Sequence, residues 1–178
     1  MKSTITTKRL ILRPTNIEDR AFILELMNTP KWIKNIGDRN VRSEIDAENY
    51  IKQKMLPQLE ALGYGNYTVI RKTDLVKIGT CGLYNRDGID GVDIGFAFLP
   101  KYEGNGYAFE SANKLMDLAE NDFNVERISG ITIAENTASK KLLEKLGLKF
   151  SKIMRLPNDN EDLLLYEKTS RKKSTDKP

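Results

Sequence analysis

The apolar positions of the chain follow two periods, and their order along the sequence predicts a mixed α/β domain. Alternating positions or short apolar runs, which are typical of strands, occur at residues 9–14, 66–71, 76–84, 92–99, 127–134, 149–155 and 162–168. Helical spacing occurs in the segments that begin at Asn16, Ser43, Tyr107 and Thr137. Pro30 is expected to end the first helix, Gly63 the second and Gly147 the last. The predicted order is β-α-α-β-β-β-α-β-α-β-β.

The spacing of these elements indicates how the strands pair. The strands at 66–71 and 76–84 are separated by a short turn, which predicts an antiparallel hairpin. The two last strands also form an antiparallel pair in this interpretation. The strand–helix–strand unit of residues 92–134 is expected to supply the one parallel pair, with a right-handed connection. We therefore expect a mostly antiparallel sheet with helices on both faces.

The net charge of +4 comes from the end of the chain. The sequence has 29 basic and 25 acidic residues, and the last eleven residues hold five basic and one acidic, which leaves 24 of each elsewhere. We therefore expect one domain over residues 1–168 and a basic, disordered tail over residues 169–178. A neutral body argues against nucleic-acid binding, and the lack of a long apolar segment argues against a membrane role.

Histidine and cysteine are too scarce for several kinds of chemistry. The chain has no histidine, which excludes Ser-His-Asp and Cys-His catalysis. We therefore expect no metal site, because histidine is absent and one thiolate cannot hold zinc. The one cysteine, Cys81, cannot form an internal disulfide and is expected to be a small buried strand residue. A single free thiol and the absence of an apolar leader favour the cytoplasm.

A glycine-bearing loop between a strand and a helix is the main candidate for a binding site. Gly104 and Gly106 follow the strand at 92–99 and precede the helix that begins at Tyr107. Free N–H groups at a helix start favour phosphate oxygens, and glycines let an anion approach the backbone closely. A dinucleotide fingerprint needs a third glycine where this chain has Phe109, and no P-loop pattern is present. The glycines alone are equally consistent with a structural turn.

Three segments together carry a resemblance to a known family. KYEGNGYA, residues 101–108, is similar to the acetyl-CoA signature of the GNAT superfamily of N-acetyltransferases, with lysine in place of its first Gln or Arg. NTASKKLLEKLGL, residues 136–148, resembles the second GNAT signature, with Leu148 in place of an aromatic residue. TKRLILRP, residues 7–14, with Glu18 and Asp19, is similar to the start of the branch that acetylates N-termini of ribosomal proteins. The resemblance covers roughly residues 5–168 and implies a GNAT-like fold.

The resemblance implies an acetyl-CoA site between two splayed parallel strands. The pantetheine arm is then expected to pair with the backbone of Phe96, Phe98 and Leu99. The pyrophosphate is expected on the loop residues Lys101, Gly104, Asn105, Gly106, Tyr107 and Ala108. Asn136 is expected to hydrogen-bond the pantetheine arm, either in addition to or instead of a helix-capping role. Lys140 is expected near the nucleotide end, and Glu110 is expected to support the loop electrostatically.

The implied reaction is direct attack of an amine on the thioester, which needs a base for the amine and an acid for the thiolate. Ser139 matches the position that can protonate the thiolate, and a plain first-turn hydroxyl is the alternative. Asp93 is the candidate base. A surface aspartate at the end of a strand, with water or nothing as the base, is the alternative for Asp93.

The acceptor is the least determined part of this interpretation. Four aromatic residues are candidates to line the amine pocket, with core packing as the alternative for each of them: Trp32, Tyr64, Tyr67 and Tyr84. The expected partner is an amine, either a protein N-terminus or a small molecule, and the chain is expected to be a monomer or a homodimer. A coenzyme A-binding module without turnover is the alternative function.

Overall fold

Eight strands form one sheet in the computed structural model, which describes residues 4–157 and 159–169. The strands lie in the order β1-β2-β3-β4-β5-β6-β8-β7. They are β1 (Ile5–Thr6), β2 (Leu10–Pro14), β3 (Asn66–Arg71), β4 (Lys77–Tyr84), β5 (Val92–Phe98), β6 (Arg127–Thr132), β7 (Lys149–Met154) and β8 (Leu163–Thr169). The mixed α/β class is confirmed. Thr169 closes β8, and the rest of the expected tail, residues 170–178, lies outside the described residues.

Six α-helices accompany the sheet within the described part of the chain. They are α1 (Arg20–Met27), α2 (Pro30–Asn35), α3 (Glu44–Tyr50), α4 (Leu56–Leu62), α5 (Tyr107–Asn121) and α6 (Thr137–Lys145). A 3₁₀ turn at Ile17–Asp19 precedes α1, and a π-helical turn at Ile51–Met55 joins α3 to α4. None of these helices offers the long apolar surface that crossing a lipid bilayer requires.

Pro30 starts a helix, whereas the sequence pattern assigned it to the end of one. Helix α1 already ends at Met27, and the side chain of Thr29 accepts a hydrogen bond from the amide of Trp32 to cap α2. Proline suits the first helical position because its missing N–H has no partner there. The expectation that Pro30 ends the first helix was therefore wrong. Helix α1 ends before Pro30, and Thr29, one residue before the proline, is the N-cap of the next helix.

Only one pair of neighbouring strands in this sheet is parallel, as predicted. All other neighbours run antiparallel, and β5 pairs with β6 in parallel only at Val92↔Ile128 and Asp93↔Ser129. Helix α5 is the crossover between these two strands. Beyond Asp93 and Ser129 the strands are no longer paired, so a gap opens between them toward their carboxyl ends.

The two faces of the sheet bury different helices. Cys81, Ile94 and Phe98 pack in a core cluster with Leu115 of α5 and Leu143 of α6. Because side chains alternate along a strand, Ala97 and the adjoining Leu99 point to the other face, where they pack with Phe22, Ile51 and their neighbours from α1 and α3. Burial raises the pKa of the Cys81 thiol to about 12, which makes it an inert core residue.

A buried carboxylate is tied into the face that carries α1. Asp19 is 0% exposed and lies 2.6 Å from Arg13 Nη2 and 2.7 Å from Lys77 Nζ. It also accepts hydrogen bonds from the amide of Asn16 and from the hydroxyl of Thr68. Burial alone would raise the pKa of Asp19, but these partners outweigh it and hold the pKa below its ordinary value.

We expect Asp19→Asn to destabilise the protein by about 2–4 kcal/mol, because it removes a buried ionised partner of two cations. Chemical denaturation at pH 7 measures this loss. A group with a depressed folded pKa contributes stability above its unfolded pKa, so the difference from wild type should shrink as the pH falls below about 4. The exposed neighbour variant Glu18→Gln is the control. Equal stability of the Asp19→Asn and Glu18→Gln variants at pH 7 would contradict this account.

Candidate functional site

The gap between β5 and β6 exposes backbone groups of β5. Leu99 donates its N–H to Ile78 O at 3.0 Å, so this backbone group of Leu99 points toward β4. Backbone groups alternate in direction along an antiparallel ladder, so Phe96 and Phe98 direct theirs toward β6. No strand pairs with them there, because the β5–β6 pairing stops at Asp93. Phe96 and Phe98 can therefore bind an extended ligand, whereas Leu99 also accepts a hydrogen bond from Tyr102 N and has its backbone engaged.

The loop after β5 leads into the open N-terminus of α5. Gly104 and Gly106 have φ of +75° and +78°, a left-handed conformation that favours glycine. Gly106 caps α5 without a side-chain hydrogen bond, so within the described residues the first amides of the helix are open to a ligand. A Cβ on Gly104 would meet nothing within 4 Å, which leaves room beside the backbone. The loop thus fits an anion such as a pyrophosphate.

The side chain of Asn105 closes the loop on itself. Its Nδ2 donates to Tyr102 O at 3.2 Å and to Glu103 O at 2.9 Å. Glu103 also forms an ion pair with Lys31 of α2. Lys101 is exposed and lies 5.1 Å from the centre of the Tyr102 ring. Of the predicted loop residues, Asn105 therefore shapes the loop, and Lys101 is exposed beside the Tyr102 ring.

The start of the chain clasps this loop from a second side. Glu110 Oε1 accepts hydrogen bonds from Thr7 Oγ1 at 2.6 Å and Arg9 N at 2.7 Å, and its Oε2 lies 2.6 Å from Arg9 Nε. Arg9 also donates to Asn105 O at 3.0 Å, and its guanidinium lies 4.6 Å from the centre of the Tyr107 ring. Burial alone would raise the pKa of Glu110, but these hydrogen bonds hold it below its ordinary value.

The sequence did not reveal the clasp, because its partners are about a hundred residues apart. The expected support from Glu110 fits this geometry. The roles of Thr7 and Arg9 have no local signal other than their place in the TKRLILRP segment.

The second arm of the gap ends at the N-terminus of α6. Asn136 caps this helix by accepting a hydrogen bond from Ser139 N at 3.2 Å, which leaves its side-chain NH₂ group without a partner in the described residues. Lys140 Nζ donates to Ala134 O at 2.6 Å. The half-buried Ser139 has no hydrogen-bond partner for its hydroxyl within the part of the chain that the structure describes. Asn136 and Ser139 thus each keep one polar group available beside the gap.

Asp93 lies where the two strands separate. It is 2% exposed, and its Oδ2 accepts a hydrogen bond from Arg86 Nε at 2.9 Å. Its Oδ1 is buried and makes no hydrogen bond within the described residues. Burial raises the pKa of Asp93, and the charge and hydrogen bond of Arg86, together with the backbone N–H of Ile131, only partly oppose this effect. Asp93 is therefore a buried carboxyl group with a free oxygen, a different environment from the surface position that was its alternative.

The four aromatic candidates lie in three different places. Tyr84 is the cross-strand partner of Asp93, and Trp32 packs with the α1–α3 cluster on the same face of the sheet. Tyr67 is 1% exposed in the core under α5, which is the core role left open for it. Tyr64 packs against that same core, with its ring centre 5.0 Å from that of Phe123. Of the four, the structure brings only Tyr84 next to Asp93.

A gap between two parallel strands, with helix N-termini at its open end and a buried carboxylate at its closed end, is the arrangement expected of a coenzyme A-dependent N-acyltransferase. Comparison with known proteins agrees. Residues 9–149 match the family model described as an acetyltransferase (GNAT) domain. The chain belongs to the GNAT acetyltransferase family.

Relatives and solved structures show the same likeness along nearly the whole chain. The chain is 30% identical over 155 residues to the uncharacterized N-acetyltransferase p20 of Bacillus licheniformis, covering 85% of each protein. A GNAT-family acetyltransferase structure from Bacillus anthracis aligns with a TM-score of 0.77 at 24% identity, over 94% of this chain and 98% of that one. RimL, a ribosomal L7/L12 α-N-protein acetyltransferase solved with coenzyme A, aligns with a TM-score of 0.79 at 18% identity, with coverages of 94% and 98%. At these identities the structures support the fold.

We expect Glu110→Gln to loosen the loop of residues 101–106 while leaving the fold intact, because it removes the charge that holds Thr7 and Arg9. The pair is partly solvent-exposed, so the loss should be about 1 kcal/mol, and the hydrogen-bonded amides at positions 9 and 110 should exchange hydrogen about fivefold faster. Hydrogen exchange with mass spectrometry measures this. Asp117→Asn, an exposed acidic position on the same helix, is the control. Unchanged exchange in the Glu110→Gln variant would show that the clasp does not hold the loop.

Proposed function

We propose that this protein transfers an acetyl group from acetyl-CoA to a primary amine by direct attack of the amine in a ternary complex. The observation that carries the proposal is the gap between β5 and β6, with the free amides of α5 at its open end and Asp93 at its closed end. Family membership supports acetyl transfer. A protein or peptide N-terminus is the first acceptor to test, because RimL, an α-N-protein acetyltransferase, shares the fold.

In this proposal the cofactor is bound mainly by backbone groups. Phe96 and Phe98 pair with the extended pantetheine arm, and the amides of the loop from Gly104 to Ala108 hold the pyrophosphate. Asn136 offers its free NH₂ group to the pantetheine arm, and Lys140 lies toward the nucleotide end. Acetyl-CoA, when bound, supplies the activated acyl group.

Two side chains accept or donate protons in the proposed reaction. Asp93 accepts a proton from the attacking amine through its free Oδ1, while Arg86 holds Oδ2. Ser139 hydrogen-bonds the departing sulfur and relays a proton to it from water, which restores the serine hydroxyl, since this hydroxyl is not engaged elsewhere in the described residues. Trp32 and Tyr84 border the amine side, and the cytoplasm supplies both substrates. The two proton transfers remove the charges that would otherwise build up on the amine and on the sulfur.

Calorimetric titration with acetyl-CoA, followed by thiol release with alanine-initiated peptides, polyamines and aminoglycosides, tests the proposal. We expect binding in the micromolar range and turnover with one acceptor class. Gly106→Ala should weaken binding about tenfold, since alanine resists the left-handed conformation by about 1–2 kcal/mol. Gly37→Ala, at another left-handed glycine with open space around it, is the control. Lack of binding at millimolar acetyl-CoA would refute the proposal, and binding without turnover of any acceptor would favour a silent coenzyme A-binding module.

The pH dependence of kcat/KM tests the role of Asp93. A base must be ionised to act, so its raised pKa should place the loss of activity at a higher pH than an ordinary aspartate would. Asp93→Asn should lower kcat/KM at least about 100-fold. Arg86→Gln should move the acid limb further up, because it removes the cation that lowers the pKa of Asp93. Arg127→Gln, which touches Asp90 and Glu167 instead, should leave the profile unchanged. Near-normal activity of Asp93→Asn would point to water as the base.

A further inference from the structure

Strand β7 is a free edge of the sheet. Within the described residues it pairs only with β8, so the N–H and C=O groups on its outer side meet no other strand. None of its six residues is fully buried. The opposite edge of the sheet, β1, has only two residues. Strand β7 is therefore the edge that can accept a further strand.

A bulge in β7 brings its two large apolar side chains to one face. In a regular strand, residues 150 and 153 would point to opposite faces. The register shifts between Phe150 and Lys152, so that Phe150 lies opposite Tyr166 and Ile153 lies opposite Leu164. Tyr166 and Leu164 are two residues apart in β8 and share a face, and their cross-strand partners share it with them. Phe150 and Ile153 therefore lie on the face of the sheet that packs with α5 and α6.

Phe150 and Ile153 form an apolar edge patch. Phe150 is 54% exposed and Ile153 is 62% exposed, even though the rings of Phe150 and Tyr166 are in contact with their centres 5.9 Å apart. Bulges and lysines on an edge strand usually discourage pairing with unselected chains. This bulge also gathers apolar surface that water covers in a single copy, so a partner that covers the edge patch gains free energy.

The end of β7 nearest α6 is basic. Lys149 is exposed and forms no ion pair within the part of the chain that the structure describes, because its cross-strand neighbour Glu167 pairs with Arg127 at 3.5 Å instead. Helix α6, which leads into β7, holds three lysines and one glutamate. The N-terminal end of the strand is therefore net positive.

The other end of β7 leads into an acidic turn. Arg155 and Asp162 neutralise each other at 2.6 Å. Asp159 Oδ1 accepts a hydrogen bond from Glu161 N at 3.0 Å, which holds the turn, and neither Asp159 nor Glu161 has a basic partner among the described residues. Two negative charges are therefore left uncompensated at the C-terminal end of the strand.

We propose that β7 is a dimer interface, on which β7 of a second copy of this chain pairs antiparallel about a twofold axis. This arrangement places the basic end of each copy beside the acidic turn of the other, and the symmetry makes that contact twice. It also sets Phe150 of one copy beside Ile153 of the other, which covers both edge patches. Lys152, near the axis, lies opposite Leu165 on the other face, where its long side chain can reach water.

Sedimentation velocity of the full chain at low salt, over concentrations from about 1 to 500 µM, tests the interface. We expect a dimer with a Kd in the micromolar range, weakened several-fold by about 0.5 M NaCl, which screens the charged ends. Ile153→Glu should raise the Kd at least about 30-fold, because it buries a charge in the edge patch. Ile45→Glu, at an isoleucine of α3 that is also exposed, is the control and should leave the Kd unchanged. A wild type that stays monomeric throughout this range overturns the proposal.

A charge exchange tests the antiparallel arrangement. Lys149→Glu and Glu161→Lys should each raise the Kd about tenfold, since the twofold axis makes every change act at two contacts. An equal mixture of the two variants should recover an affinity close to that of the wild type, because each copy then supplies the charge that the other lacks. Misfolding of either variant could not produce this recovery. A mixture that associates no more tightly than the separate variants overturns the arrangement. Association is measured without substrate, so the result does not depend on acetyl transfer.

Discussion

Val92 and Asp93 of β5 pair with Ile128 and Ser129 of β6, and the two strands are unpaired beyond that point. Unpaired backbone inside a protein is costly, so a fold that keeps such a gap requires another partner for those groups. The helices on either side leave their N-terminal amides at the open end of the gap, and the buried Asp93 lies at its closed end. The proposed positions of the cofactor, the base and the acceptor all follow from the point where this pairing stops.

The pattern of apolar positions predicted most of the fold because the core elements are rich in them. Helix α5 buries one stripe, and β4 and β5 are buried or half-buried along their whole length, so helical spacing and short apolar runs carried the information. Pro30 was assigned wrongly, because a proline next to a capping threonine reads equally well as an end or a start. The two-residue strand β1 is too short to show a period. The π-helical turn at Ile51–Met55 has no pattern that separates it from the helices on either side.

Some residues of the candidate site could be predicted from their neighbours in the sequence, whereas others depend on contacts between residues that are far apart in the chain. Gly104 and Gly106 could be identified from the sequence because the residues that shape a loop are consecutive in the chain. Tyr84 and Asp93 could also be identified, and they are cross-strand partners in the adjacent strands β4 and β5. Contacts such as Arg9 with Glu110 join residues far apart in the chain, and a single sequence carries no sign of which distant pairs will meet. The ionised state of the buried Asp19 also depends on tertiary contacts, because the cations of Arg13 and Lys77 that lower its pKa come from two different strands.

The buried Cys81 gives the protein an internal reporter that needs no engineering. It is the sole cysteine of the chain, it is fully shielded, and its raised pKa leaves almost no thiolate at neutral pH. Coenzyme A released by turnover therefore competes with no reactive protein thiol, so colour reagents for free thiols record the product without background. In the absence of substrate the same reagents can modify the protein only when strand β4 opens, which turns the rate of labelling into a measure of how often the centre of the sheet unfolds.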